Sequence, residues 1–290
     1  MPRMPHQARP VIATYRHALC WIVLAFATAL LFAPRPAQAD ESRLDTILQR
    51  DKLIVAVSST ARPNGFVDDD GKLTGFEIEL ARLIAKAIVG SPDKIEFVTT
   101  TVDGRFPAVL SGRVDFGIST ATIYPDRAVR LAFTRPYIDS STYVVVKQGS
   151  PLHTIADLDS PSVNFGSTNS AAMMDRAKRY AAKAQAMFFD TDTAAFAALR
   201  ASRVAAVQAD SAQADYQVAQ SNGDFVRLPG QLGNLNGNAI FMKPGDFRLW
   251  LCLDTIVGEF TNGSRYDEYD ALYQKWFGRS APPARPYMTR

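Results

Sequence analysis

Short apolar runs rich in β-branched residues alternate with helical stretches along most of this chain. No other feature limits the fold so strongly, because βαβ spacing commits a sequence to mostly parallel sheets covered by helices. Residues 52–57 predict a first strand, entered from a short helix around 44–49. Residues 68–71 predict a turn in which Gly71 supplies the positive φ. An amphipathic helix is expected over 76–88, with Leu80, Ile84 and Ile88 on one face. A strand over 95–100, a short helix over 105–110 stopped by Gly112, and a strand over 114–118 complete this series. The extended run 143–147 reads as a crossing to a second series: strand 163–165, a small-residue loop 166–169, helix from about 170 to 182, strand 186–189, helix 192–202 and strand 204–210. Residues 237–242 read as the return crossing, and helices over 247–261 and 266–277 close the chain.

Ahead of this pattern, Arg3, Arg9 and Arg16 precede an apolar run from Ala18 to Ala33, followed by Pro34, Pro36 and the triplet Ala37-Gln38-Ala39. The order is that of a secretory signal cleaved after Ala39, and the run is shorter than the roughly 20 residues of a spanning helix. Cys20 opens the apolar run instead of closing it, so it is expected to leave with the signal. The mature chain is therefore expected outside the cytoplasm. The first 39 residues hold four arginines and no acid, which leaves 28 basic against 29 acidic residues and no basic stripe for nucleic acid. Of the histidines only His153 remains, and of the cysteines only Cys252. That excludes an intrachain disulfide and a His/Cys metal cluster, and His153, in a Gly-Ser-Pro-Leu-His linker, leaves little for a Ser-His-Asp triad and reads as a solvated loop residue. Cys252, between Leu251 and Leu253, reads as a small buried apolar residue.

The chemistry concentrates at strand ends. The strand over 114–118 delivers Ser119, Thr120 and Thr122, and Pro125 with Asp126 opens a helix whose first turn carries Arg127. Hydroxyls, backbone N–H groups and a fork-shaped cation converge there, at the carboxyl end of a strand where open α/β sheets hold their ligands. The set suits a carboxylate of amino-acid size, gripped by two parallel hydrogen bonds. In the second series Ser167 and Thr168 lie in a loop before a helix, an anion-friendly start. Asp210 ends another strand with the opposite charge; capping the helix after it is its alternative duty.

Gly75-Phe-Glu-Ile-Glu-Leu-Ala81, the block from Gly104 to Asp115, Thr122 with Arg127, and Lys275-Trp-Phe-Gly278 occur in this order. Together they resemble bacterial family 3 solute-binding proteins, the polar amino acid receptors of ABC importers. The resemblance implies a two-lobed α/β fold, the type II periplasmic-binding-protein fold, with two crossing strands as hinge and the ligand in the cleft between the lobes. Lobe one is expected over 40–143 plus 240–290, and lobe two over 144–239. It implies that Arg127 pairs with the ligand α-carboxylate, aided by the Thr122 and Thr168 amides, while Asp210, the Thr120 carbonyl and the Thr122 hydroxyl receive the α-ammonium. Arg105 matches an arginine that reaches the ligand side chain in acidic-amino-acid receptors, or else it is a solvated helix start; Arg62 is a second candidate cation. The aromatic sandwich common in relatives is missing, with Ala61 and Val102 at its positions, and Phe66 reads as lobe core. An acidic or polar ligand is thereby favoured.

The expected protein is a periplasmic, monomeric, non-enzymatic receptor without cofactor, whose partners are a small amino acid and the permease subunits of an inner-membrane ABC transporter. A periplasmic cyclohexadienyl dehydratase on the same fold, acting on prephenate or arogenate, is the alternative, as is an accessory receptor for another solute. The enzyme needs a general acid with a raised pKa in the cleft, and Asp210 is the only acid that a motif places there.

Overall fold

The structure, a computed structural model, describes residues 42–283 except 102, 170, 234 and 235. The expected signal segment and Val102 lie outside the described residues. Helix α1 (Arg43–Arg50) leads into β1 (Leu53–Val57), and a small antiparallel sheet follows from β2 (Thr60–Ala61), β3 (Gly65–Val67) and β4 (Leu73–Thr74). Then come α2 (Phe76–Val89), β5 (Ile95–Thr99), α3 (Arg105–Leu110), β6 (Phe116–Gly117), α4 (Pro125–Ala128) and β7 (Ala132–Asp139). The second half holds β8 (Thr142–Lys147), a 3₁₀ turn (Ile155–Leu158), β9 (Asn164–Thr168), α5 (Ala171–Tyr180), β10 (Gln185–Phe189), α6 (Asp192–Arg200), β11 (Ala206–Asp210), α7 (Ser211–Ala219) and β12 (Phe225–Arg227). Strand β13 (Gly237–Met242) and helices α8 (Phe247–Asn262) and α9 (Tyr266–Phe277) end the chain.

Two five-stranded sheets result, in the orders β5-β1-β6-β13-β7 and β10-β9-β11-β8-β12. In each, three strands run parallel as the βαβ pattern requires: β5, β1 and β6 in the first, β10, β9 and β11 in the second. Into each is set one antiparallel strand beside a crossing, β13 in the first and β8 in the second. Successive side chains of a strand point to opposite faces, and both faces are covered. Leu53, Val55 and Val57 of β1 enter a core with α2, α8 and α9, while Ala56 joins Ala108, Val109 and Phe241 on the other face. Val144 and Val146 of β8 likewise face one core of the second sheet and Val145 the other.

Sheet membership changes at Ser140 and Ser141, since β7 ends at Asp139 and β8 starts at Thr142, and changes back before Gly237. Each change falls a few residues before the boundary drawn from the sequence, because pairing reaches further than the apolar runs: Thr142 is already opposite Asp210, and Gly237 opposite Asp139. The two crossing segments bond to each other, Ser140 N–H donating to Asn236 O at 2.9 Å and Asn236 N–H to Ser141 Oγ at 3.3 Å. The expected loop 166–169 is largely strand, as β9 continues to Thr168 with Ser167 opposite Phe188 on β10.

Two motif residues now have physical roles. Gly75 sits at φ 133, and a Cβ there would lie 2.2 Å from Asn64 O, so only glycine starts α2 in this place. Asp115 has a fully buried carboxylate that pairs with Arg43 at 2.6 Å and with Arg50, and accepts Ile54 N–H at 2.7 Å. It ties α1 to the starts of the interior strands β1 and β6. Phe66 is 6% exposed and meets Trp276 edge-on with ring centroids 5.8 Å apart, the packing role expected of it. Arg62 lies over the Phe66 ring at 3.9 Å, and Cys252 is half-buried with burial raising its thiol pKa. Among the described residues no helix is long and apolar enough to cross a membrane, and no three metal-binding side chains cluster.

Candidate functional site

Strand β6 stops at Gly117, where a Cβ would meet the Phe241 ring at 2.1 Å, and the chain leaves the sheet as the turn 118–124. Thr120 in this turn has φ 47, a left-handed conformation that a β-branched residue adopts only when its surroundings impose it. Thr122 forms an isolated bridge with Asn238 on β13, and its hydroxyl donates to Asn238 Oδ1 at 3.0 Å. Pro125 then opens α4, whose third residue is Arg127. Its Nη1–H donates to Thr122 O at 2.8 Å, and its guanidinium lies 4.8 Å from the Tyr124 ring centre and 5.6 Å from that of Phe106. One backbone oxygen and two rings thus hold the half-buried fork, which makes no other hydrogen bond among the described residues.

The second sheet contributes an anion. Asp210 ends β11 at the N-cap position of α7, but its side chain caps nothing. The helix-capping duty is therefore absent. The only hydrogen bond of its carboxylate among the described residues is a long one, 3.5 Å, from Thr142 Oγ1. Asp210 is accessible to solvent yet closely surrounded by protein, as a group in a recess is, and this desolvation lifts its pKa to about 7. Asp192, at the start of α6, adds like-charge repulsion, and Arg176 opposes it. Burial pushes Asp192 itself up to about 6.

Thr168 is half-buried at the end of β9, and Ser167 is fully buried. The Ser167 hydroxyl donates to Thr168 O at 3.1 Å and accepts Gln208 Nε2–H at 2.6 Å, so it braces the strand end from within. Arg105 is not at a solvated helix start: it is only 5% exposed and donates through Nη1 to Ser119 O at 2.9 Å. Burial and the nearby Arg127 lower its pKa, and Glu77 opposes them. His153 is exposed in its linker.

Sequence reasoning passed over Glu77, Tyr137, Asn238 and Asp192. Glu77 is fully buried; its Oε1 accepts Thr120 N–H at 2.8 Å and the Tyr137 hydroxyl at 2.5 Å. Burial raises its pKa to about 7 against these two bonds and the Arg105 charge. A signal for it existed, since Glu77 shares a helical face with Ala81, Ile84 and Ile88 at the i+4, i+7 and i+11 spacings.

A cavity of about 400 Å³ lies beside the crossing, lined by Tyr137, Asp139, Asn236, Tyr269 and Tyr273 among others. It has no cationic residue among those that line it.

A sequence profile of the Bacterial extracellular solute-binding proteins, family 3, matches residues 53–279. The chain is 28% identical over 243 residues to the ABC transporter glutamine-binding protein GlnH of Bacillus subtilis, across 81% of this chain and 86% of that protein. It is similar to the solved structure of an ancestral cationic amino acid solute binding protein, with 30% identity, a TM-score of 0.74, and coverage of 81% of this chain and 100% of that one. A shorter likeness, 28% over 162 residues, joins it to the cyclohexadienyl dehydratase of Pseudomonas aeruginosa, over 54% of this chain and 58% of that protein.

Proposed function

Because the chain belongs to the bacterial extracellular solute-binding proteins of family 3, we propose that it captures an amino acid between two lobes and hands it, in the periplasm, to the permease of an ABC importer. The lobes are built on the two five-stranded sheets, and the paired crossing segments at Ser140–Ser141 and Asn236 are the hinge. Arg127 takes the α-carboxylate with the Thr122 and Thr168 amides beside it. Asp210 takes the α-ammonium with the Thr120 carbonyl and the Thr122 hydroxyl oxygen. The observation that carries this reading is the uncapped Asp210 carboxylate, raised in pKa and matched by an Arg127 fork with donors to spare. Both flank the crossing: Thr122 bridges to Asn238 just after the return, and Asp210 pairs with Thr142 just after the outward passage.

The ligand is polar, and the buried Arg105 changes which polar side chain fits. With that guanidinium buried and bonded to Ser119 O, and Asp192 close enough to raise the Asp210 pKa, the cleft favours a donor-rich side chain, amide or cationic, over a carboxylate. The relatives described above include a glutamine-binding protein and a cationic amino acid solute binding protein. The protein works as a monomer, without cofactor or nucleic acid. A thermal-shift screen of the twenty common amino acids tests this. A true ligand at a hundred times its Kd stabilises the native state by about 2.7 kcal/mol and raises the melting point visibly; no shift with any of them would refute the receptor.

A second reading is supported by the same acids. A dehydratase needs a general acid poised near neutrality, and Asp192 at about 6 and Asp210 at about 7 meet that need. Turnover of prephenate or arogenate by the purified protein would establish it in place of the receptor.

A further inference from the structure

Arg105 and Glu77 act on one peptide group. Arg105 donates to Ser119 O at 2.9 Å, and Glu77 accepts Thr120 N–H at 2.8 Å. Those are the carbonyl and the amide of the single unit that joins Ser119 to Thr120, and in a trans peptide they point in opposite directions. We propose that Glu77 and Arg105 are positioning residues of the binding site, two buried side chains of opposite charge that grip the Ser119–Thr120 peptide from both sides and so fix the turn that faces the ligand. The inference rests on the ligand site proposed above and adds to it a support that no ligand contact reveals.

The turn depends on such a grip. With its amide aimed at Glu77, Thr120 is held at φ 47, which an unrestrained threonine avoids. That orientation sets the direction of the Thr120 carbonyl and, two residues on, the Thr122 carbonyl that anchors Arg127 Nη1. A rotated peptide would therefore displace both the acceptor for the ammonium and the anchor of the cation. Neither gripping residue is spent elsewhere to a degree that explains its burial. Glu77 and Arg105 are 0% and 5% exposed, and each retains a buried polar atom, Glu77 Oε2 and Arg105 Nε, without a hydrogen-bond partner among the described residues. Their opposite charges stabilise each other across the peptide. The groups acting on Glu77 are Tyr137 from β7, Arg105 from α3 and the Thr120 amide; those acting on Arg105 are Arg127, Glu77, Tyr137 and Asp103. Tyr137 shares Oε1 with the Thr120 amide and steadies the carboxylate from the sheet side.

The test compares Glu77→Met, which keeps the volume and removes the acceptor, with Glu77→Gln, which keeps an Oε1. L-glutamine, L-arginine, L-cystine and L-glutamate serve as calorimetric probes, and hydrogen exchange reads the Thr120 amide. Expected for Glu77→Met is a folded protein with affinity lowered on the order of tenfold or more and Thr120 protection lost; Glu77→Gln restores most of both. A folded Glu77→Met that binds within about twofold of the parent, or a Thr120 amide already unprotected in the parent, would overturn the inference. Should Glu77→Met fail to fold, Arg105→Met removes the grip on Ser119 O and is judged by the same two readouts. No binding of any probe by the parent protein would sink the ligand site itself, while protection at Thr120 still reports the grip independently.

Discussion

Arg127→Ala is expected to weaken amino acid binding by about 2–5 kcal/mol, roughly thirtyfold to several thousandfold in Kd. The loss is large because closure would bury the ligand carboxylate beside Arg127, whose guanidinium donates only one hydrogen bond among the described residues. The carbonyl of Thr122 fixes one nitrogen and the rings of Tyr124 and Phe106 set its place, so the fork reaches the ligand already oriented. Fold stability should change little, within about 1 kcal/mol, since the half-buried side chain makes one hydrogen bond among the described residues. Arg127→Lys keeps the charge and loses the bidentate geometry, and is expected to fall between the two. Calorimetry for binding and urea denaturation for stability separate these effects. Equal losses in both would mean that the arginine supports the fold instead of the ligand.

The second large effect concerns Asp210 and has a pH signature. In the free protein its pKa stands near 7, raised from 3.8 first by desolvation and then by Asp192, so below neutrality the folded protein carries a proton there. An ammonium needs the ionised form, and binding must expel that proton. Affinity should therefore be full above about pH 8 and fall as pH drops through 7, by up to about tenfold per pH unit. The sign follows from the raised value: a carboxylate with an ordinary pKa would show no such dependence above pH 5. Asp210→Asn removes the slope and costs about 2–4 kcal/mol of affinity at pH 8, because the ammonium loses its charged acceptor. Titrations at several pH values check both parts. A slope that persists unchanged in Asp210→Asn would assign the proton to another group.

How much of this was legible beforehand follows from where the determining physics resides. Strands β1, β5 and β13 and helices α2, α3 and α9 were placed within a residue or two, because each combines a periodic apolar face with a local stop such as Gly90 or Gly278. Strand β7 has no clear signal in the sequence: Arg135 and Pro136 interrupt its apolar run, and it survives as an edge strand, where a proline forfeits little pairing. Ser167 and Thr168 carry the small polar side chains of a turn, and only pairing with the neighbouring β10 makes them strand. Arg127 and Asp210 stood out as opposite charges at strand ends, a local pattern. Arg105 looked equally local, but its burial against Ser119 arises from the packing of α3 on the first sheet, which no short segment encodes. Glu77 and Asp192 matter through desolvation, a property of the assembled protein.

The most direct measurement of the central claim is calorimetry of the strongest amino acid ligand beside its methyl ester, which lacks the carboxylate charge, and its N-acetyl form, which lacks the ammonium. The account predicts that each derivative loses about two orders of magnitude or more in affinity, and that Arg127→Ala costs the ester far less than it costs the parent ligand. An ester or acetylated ligand that binds as tightly as the free amino acid would contradict it.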